Sequence, residues 1–435
     1  MTPRLLLGCI ADDFTGATDL ANNLVRAGMR AIQTIGIPSE PLRVEVDVVV
    51  IALKSRTIPV ADAVTQSLAA LHWLQAQGAE QIYFKYCSTF DSTSQGNIGP
   101  VTEALMQAMG TDFTIATPAF PDNGRTVFKG HLFVGDVLLN ESGMQHHPLT
   151  PMTDANLVRV MQSQCQSTVG LIDYKAVAQG APAIEQRMAE LQQLGCRIAI
   201  VDALSNDDLR RLGPALKRMP LITAGSGVAI GLPPNFGLSP TPTTSALPPV
   251  QGKQAVIAGS CSTATQKQVA YFERQGLPAL CLDTSRLVQG DAAHLAAVTE
   301  ALAWAASHWS HHPDAQGPVL IYSTASPDLV KAAQAQYGVQ VVGDRIEQAL
   351  AAIAQGLTQL GVAQLVVAGG ETSGACVQAL GITQLQIGLQ IDPGVPWCHA
   401  HTAHGGLHIT LKSGNFGSED FFVKAFHQLS EALTL

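Results

Sequence analysis

Leu5-Leu6-Leu7-Gly8-Cys9-Ile10-Ala11-Asp12-Asp13-Phe14-Thr15-Gly16-Ala17-Thr18-Asp19 is the stretch whose reading decides the fold. An apolar run of strand length, 5–11, meets two adjacent carboxylates and passes into a helical pattern over 17–27. In a parallel α/β sheet that junction falls at the carboxyl edge of the strands, where such sheets bind ligands. One Asp there is accounted for as a helix cap, accepting a hydrogen bond from a free backbone N–H. Two in a row, followed by Thr15 and Gly16, are not. Asp12 and Asp13 are therefore candidate active-site residues.

Working outward, strand-length apolar runs recur at 46–53, 81–86, 113–117, 197–202 and 221–224, with amphipathic stretches at 60–77, 101–109, 183–194 and 207–218 between them. This alternation predicts a mainly parallel sheet with helices on its faces. The stretch 232–250 breaks the pattern with six prolines, which remove backbone donors and stiffen the chain, so it reads as an extended linker. Alternation then resumes, with strands expected at 254–258, 279–283, 319–322 and 364–368 and helices at 265–274, 292–307, 345–359 and 376–380. The expected architecture is two α/β domains, 1–231 and 253–435, joined by a Pro-rich linker at 232–252, with the active site in the inter-domain cleft.

Composition agrees with a two-domain enzyme. At 435 residues the chain exceeds the size at which one core keeps growing. Apolar residues make up 46% and charged residues 14%, which suits buried parallel strands and argues against disorder. A net charge of −9 disfavours a nucleic-acid partner, since phosphate backbones demand a basic face. The first ten residues do not read as a signal peptide, and no apolar segment is long enough to cross a bilayer, so a cytoplasmic protein with no membrane partner is expected. Eight cysteines without a C-x-x-C pair fit neither a zinc ribbon nor a disulfide scaffold and read as small buried hydrophobes in a reducing compartment.

Three small-residue turns follow strands of the second half. Gly369-Gly370-Glu371-Thr372-Ser373-Gly374 allows backbone N–H groups to converge on an anion ahead of a helix, a phosphate cradle that lacks the Lys-Ser/Thr of a Walker A loop. Lys412-Ser413-Gly414-Asn415-Phe416-Gly417 follows a strand expected at 407–411 and precedes a helix expected from about 418, with Lys412 a charge partner for a nucleotide. Ala258-Gly259-Ser260-Cys261-Ser262-Thr263 is the third. Each alone also fits an ordinary tight turn; together they suggest one nucleotide pocket.

The first half carries different chemistry. Lys54-Ser55-Arg56-Thr57, Lys85-Tyr86-Cys87-Ser88-Thr89-Phe90-Asp91-Ser92 with Gly96-Asn97, and Pro121-Asp122-Asn123-Gly124-Arg125 each follow a strand-like run. They offer cations, hydroxyls and amides together, the inventory that holds a small polyhydroxy carboxylate. His399, His401, His404 and His408 lack a carboxylate at ligand spacing, and their glycines suggest a loop, so no protein metal site is expected.

At these residues the chain resembles the four-carbon acid sugar kinases, the 3-oxo-tetronate kinases in particular. The segments that carry the resemblance are 11–17, 53–58, 83–93 and 121–125 and the two glycine-bearing loops of the second half. The resemblance implies an N-terminal domain that binds the sugar acid, a C-terminal domain that binds ATP, and phosphoryl transfer to the C4 hydroxyl of a 3-oxo-tetronate, with Mg2+ bridging ATP phosphates. Asp12, Asp13, Asp91 and Lys85 are the expected catalytic residues; Lys54, Ser55, Arg56, Ser88, Thr89, Asn97, Asn123, Gly124 and Arg125 would bind substrate. Ser260, Gly369, Gly370, Glu371, Thr372, Ser373, Gly374, Gly414, Asn415 and Gly417 would bind the nucleotide. Rival readings are a D-threonate or D-erythronate 4-kinase, an NAD-dependent hydroxy-acid dehydrogenase and a non-enzymatic small-acid binding protein. The dehydrogenase is disfavoured because acidic residues stand where Gly-x-Gly-x-x-Gly would cradle a pyrophosphate. A homodimer is left open.

Overall fold

The computed structural model describes residues 5–41, 45–146, 150–241, 243–311, 317–323 and 338–434. It divides into two compact units, Met1–Ser245 and Ala246–Leu435.

In the first unit, β1 (Leu7–Ala11), β2 (Ala31–Ile35), β3 (Val48–Ala52), β4 (Gln81–Lys85) and β5 (Thr114–Thr117) are followed by three short strands, β6 (Arg125–Phe128), β7 (His131–Val134) and β8 (Val137–Leu138). Then come β9 (Thr168–Ile172), β10 (Cys196–Val201) and β11 (Leu221–Ala224). Eight of these form one sheet in the order β2-β3-β1-β4-β11-β5-β10-β9, with every pairing parallel. β1 and β3 are buried along their whole length, as continuous apolar runs must be when helices cover both faces of a parallel sheet. From β1 the chain crosses to β2 at the end of this order, returns to β3 beside β1, and then passes over β1 to β4, so the connections leaving the neighbouring strands β1 and β4 run in opposite directions and the strand order reverses there. Outside the carboxyl end of such a reversal a crevice opens.

The second unit contains β12 (Lys253–Ala258), β13 (Ala279–Cys281), β14 (Val319–Tyr322), β15 (Val362–Ala368), β16 (Gln384–Asp392), β17 (Val395–Thr402) and β18 (Gly405–Lys412). Their order is β13-β14-β12-β15-β18-β17-β16. The first five are parallel and the last two antiparallel. Here the order reverses between β12 and β15. One face packs Trp397, Phe421, Phe422 and Phe426 around Val256 and Val366, and the Trp397 indole N–H donates to the Ala425 carbonyl at 2.9 Å.

Several expectations need correction. β2 is not evident in the sequence, because its Gln33 and Thr34 look like loop residues; both are buried. The Gln33 side chain accepts from Thr18 Oγ1 at 2.8 Å and donates to the Phe14 carbonyl at 3.2 Å, so its polarity is satisfied inside the core. The histidine stretch expected as a loop is the β17–β18 hairpin, in which His399 lies opposite His408. The proline-rich stretch is not a free extended linker. Pro233–Phe236 forms a 3-10 turn, with Asn235 donating to the Gly213 carbonyl at 2.8 Å. At its other end Leu247 packs on the second unit's core, and His408 Nε2 meets the Pro248 carbonyl at 2.8 Å. Apolar residues among the prolines anchor each end to its own unit. Among the described residues no helix is long and apolar enough to cross a membrane.

Candidate functional site

β1 delivers Asp12 and Asp13 to the strand-order reversal. Asp13 caps the helix Phe14–Arg26, accepting from Gly16 N at 3.2 Å and from Thr15 Oγ1 at 3.0 Å. The same carboxylate also takes Lys85 Nζ at 3.0 Å and Arg56 Nη2 at 2.7 Å, so capping and charge pairing are not alternatives here. Asp12 accepts from Arg56 Nε and Nη2, both at 2.9 Å. Asp91 lies 3.8 Å from Arg56 Nη1 and accepts from Thr89 Oγ1 at 2.6 Å. Three carboxylates thus converge on one guanidinium and one ammonium.

Parallel register explains the convergence. Ala11 is level with Ala52 on β3 and with Lys85 on β4, so the residues just beyond each strand emerge side by side. The backbone stitches them: Asp12 N donates to the Lys85 carbonyl at 3.1 Å, and Ser55 N and Arg56 N donate to the Asp12 carbonyl at 3.0 and 3.2 Å. Asn97 holds the loop carrying Arg56, its Nδ2 donating to the carbonyls of Ser55, Arg56 and Ile58. Asn97 is therefore a scaffold for the site loop. Gly16 sits where a Cβ would come within 1.6 Å of Lys85 Nζ, so the glycine makes room for the ammonium.

Burial works against ionising Asp13, yet the charges of Lys85 and Arg56 hold its carboxyl well below the usual range. For Asp12 burial outweighs Arg56 and pushes the carboxyl up. Lys85, only 3% exposed, keeps its proton: burial opposes the charge, and Asp13 and Asp12 raise its pKa above the ordinary value.

Lys54 is exposed and Ser88 half-buried. Asn123 and Gly124 form the turn that ends in Arg125, whose guanidinium bonds the Asn123 carbonyl while its Nε is buried without a partner. Asp19, which the sequence does not single out, is 8% exposed and bonded by the Ser226 hydroxyl, and its Oδ1 has no partner among the described residues. Burial pushes its carboxyl up to about 6, against the pull of the Ser226 bond and Lys85. Its signal was an acid on a helix whose neighbouring residues are all buried.

In the second unit the three turns meet. Gly259 N and Ser260 N donate to the Ala368 carbonyl at 2.9 and 3.3 Å, and Gly369 N donates to the Lys412 carbonyl at 2.8 Å. A Cβ on Gly259 would lie 2.2 Å from Thr372 Oγ1, and one on Gly414 2.3 Å from Ser260 Oγ, so close approach requires these glycines. The helix begins at Gly370, not near 376. This places Gly370 and Glu371 exposed at its first turn, while Thr372 and Ser373 are buried beneath it and Gly374 is half-buried. Gly370, Glu371 and the next N–H groups form a helix N-terminus open to an anion. Asn415 is exposed and Gly417, at φ +84°, turns the loop toward a final helix that starts at Phe421, later than expected. His399 and His401 lie on β17 with ring centroids 4.9 Å apart, away from these turns.

Comparison with known proteins follows this division. Residues 7–232 match the model of a sugar-binding N-terminal domain, and residues 255–422 that of a nucleotide-binding C-terminal domain. A 3-oxo-tetronate kinase of Burkholderia multivorans is 57% identical, covering 99% of this chain and 98% of its own length. The chain belongs to the 3-oxo-tetronate kinase family. Another 3-oxo-tetronate kinase, from Cupriavidus necator, is 58% identical over 98% of both chains. Among solved structures, a Salmonella typhimurium LT2 protein superposes with a TM-score of 0.89 at 43% identity, covering 97% of this chain and 99% of its own. A Haemophilus influenzae protein gives 0.81 at 44% identity, with the same coverage. Within this kinase family, the carboxylate–cation cluster falls in the sugar-binding part and the three turns in the nucleotide-binding part.

Proposed function

We propose that this protein transfers the γ-phosphoryl group of ATP to the C4 hydroxyl of 3-oxo-tetronate, giving 3-oxo-tetronate 4-phosphate and ADP. The observation that supports this most is the ring of Asp12, Asp13, Asp91, Arg56 and Lys85 at the strand-order reversal of a chain 57% identical to a 3-oxo-tetronate kinase over nearly its whole length. Phosphoryl transfer asks a protein mainly for alignment and charge stabilisation. The C4 oxygen forms a bond to the γ-phosphorus, the bond to the β,γ-bridging oxygen breaks, and the hydroxyl proton passes to a base. Arg56, Lys85 and Arg125 suit the substrate carboxylate and the transferring group. Asp13 is held ionised by Lys85 and Arg56 and gains least from a proton, whereas burial pushes the Asp12 carboxyl up, so of this adjacent pair Asp12 is the better acceptor.

The nucleotide phosphates are assigned to the exposed helix N-terminus at Gly370 and Glu371, with the Ser260 and Gly414 turns alongside. Among the described residues no cluster of three or more His, Cys, Asp or Glu could hold a metal ion. A magnesium ion bound with ATP would supply charge neutralisation at the phosphates. A cytoplasmic site of action suits this chemistry.

The deciding experiment incubates the protein with ATP and a panel of four-carbon acids and reads phosphorylated product by mass. The 3-oxo acid is expected to be turned over fastest; product only from acids without the keto group would reassign the protein to threonate or erythronate. ATP should raise the melting temperature and NAD should not. Unchanged turnover in folded Asp13→Ala and Asp91→Ala proteins would remove these carboxylates from the mechanism.

A further inference from the structure

Lys412 ends β18 with its side chain fully buried. Its ammonium donates to Thr265 Oγ1 at 3.2 Å and to the carbonyls of Ser413 and Gly414 at 3.0 and 3.1 Å. Ammonium has three hydrogens, and these three acceptors take them all. The Gly414 carbonyl also accepts from Ser262 Oγ at 2.5 Å and Thr265 Oγ1 at 2.9 Å. Three donors, from β18 and from the start of the helix Thr263–Arg274, therefore converge on one oxygen of the Gly414 loop. Since the Lys412 carbonyl receives Gly369 N, this one residue ties all three turns together.

Among the described residues no ion pair with a carboxylate involves Lys412. On the helix Thr263–Arg274 the buried residues are Thr265, Gln268, Val269 and Phe272, none of which titrates, while Lys267, Glu273 and Arg274 are exposed. β15 ends beside it in Ala368, and residues 413–417 carry no ionisable side chain. Asp392 is engaged by Lys424 and by Ser418, and Glu371 is exposed at its helix N-terminus. A buried cation with no counter-charge is costly unless something anionic comes to it. Burial alone brings the Lys412 pKa down to about 7.

We infer that Lys412 is a positioning residue for the nucleotide: its buried ammonium fixes the Gly414 loop and finds its missing counter-charge in the nucleotide's phosphates, so nucleotide binding and Lys412 protonation favour each other. Lys412 acts through Gly414 and Thr265 and through its field, not by touching phosphate, because its hydrogens are already engaged. This rests on the assignment of the nucleotide to these turns.

The test is ADP binding to the full-length protein by titration calorimetry between about pH 6 and about pH 8.5, in two buffers of different ionisation enthalpy. Wild type should lose about tenfold in affinity across that range and take up about half a proton on binding near pH 7.5, as a bound-state pKa about one unit higher requires. Lys412→Arg, charged throughout, should show only the ligand's own titration. Lys412→Met, checked for folding by circular dichroism, should bind about tenfold more weakly near pH 6 with no proton uptake beyond that of the Arg variant. If the Arg variant does not fold, the wild-type series and Lys412→Met decide. Equal binding by wild type and Lys412→Met, with matching proton uptake, overturns the inference and leaves the nucleotide site standing. Failure of wild type to bind ADP at any pH overturns the nucleotide assignment as well.

Discussion

Arg56 and Asp12, 44 residues apart, meet through two parallel bonds of 2.9 Å, Nε to Oδ2 and Nη2 to Oδ1. The same guanidinium reaches Asp13 through Nη2 and Asp91 through Nη1, so its planar fork sets the spacing of all three carboxylates. A lysine brings one point charge and cannot reproduce that geometry. Arg56→Lys should fold with a stability loss of about 2–4 kcal/mol, since a largely buried pair loses its matched partner, and should lose turnover about a hundredfold or more. Chemical denaturation and steady-state kinetics check both. Wild-type kcat/KM in the variant would show that the fork is dispensable.

Gly16 separates function from stability more cleanly. An alanine Cβ would sit 1.6 Å from Lys85 Nζ and 2.2 Å from Asp13 Oδ1, atoms at the ends of side chains that can move aside. Gly16→Ala also gains helix propensity. The fold should therefore survive within about 1–2 kcal/mol, while the Lys85–Asp13 pair opens and turnover falls at least about tenfold. A thermal melt beside a kinetic assay reads the two effects, and retained activity would place Lys85 outside the mechanism.

The limits of the sequence can be traced to particular residues. β1, β3 and β11 were legible because uninterrupted apolar runs such as 48–52 have few alternatives once flanked by helical patterns. β2 escaped because Gln33 is polar yet buried, satisfied by Thr18, a partner that only the folded chain supplies. The short β6–β8 sheet escaped because its residues mix exposed and buried positions. In the site, the residue types were visible and their pairing was not. Lys85 and Asp13 lie 72 positions apart, and only parallel register makes them neighbours. The burial of Lys412 was hidden for the same reason, since a lysine after a strand reads first as a free charge.

Asp19 gives a pH dependence whose sign is fixed. Burial raises its carboxyl from 3.8 to about 6, so between these values the folded protein holds a proton that the unfolded chain has lost. Its contribution to stability is complete below about pH 4 and is lost as pH rises through about 6. Asp19→Asn cannot ionise. The difference in unfolding free energy between variant and wild type should shift toward the variant by about 2–3 kcal/mol from pH 4 to pH 7, measured by urea denaturation at matched ionic strength. Taking the difference removes Asp13, whose lowered pKa acts in the opposite sense, with stability present above its unfolded value and lost as pH falls. A difference independent of pH would mean that Asp19 is ionised throughout.

Gly414 offers the corresponding test in the nucleotide-binding unit. A Cβ there would lie 2.3 Å from Ser260 Oγ and 3.2 Å from Ser262 Oγ, and Ser262 is the cap of the helix Thr263–Arg274, accepting from Thr265 N at 3.2 Å. Relieving the clash by rotating Ser260 is cheap; displacing Ser262 costs about 1 kcal/mol of capping. Either movement shifts the wall against which the phosphates are assigned, and none of it involves the first unit's cluster. Gly414→Ala should therefore raise the KM for ATP about tenfold or more while leaving the KM for the sugar acid within about twofold. A rise confined to the sugar-acid KM would place the nucleotide elsewhere, because the nearest atoms the new methyl group meets belong to the Ser260 and Ser262 turn.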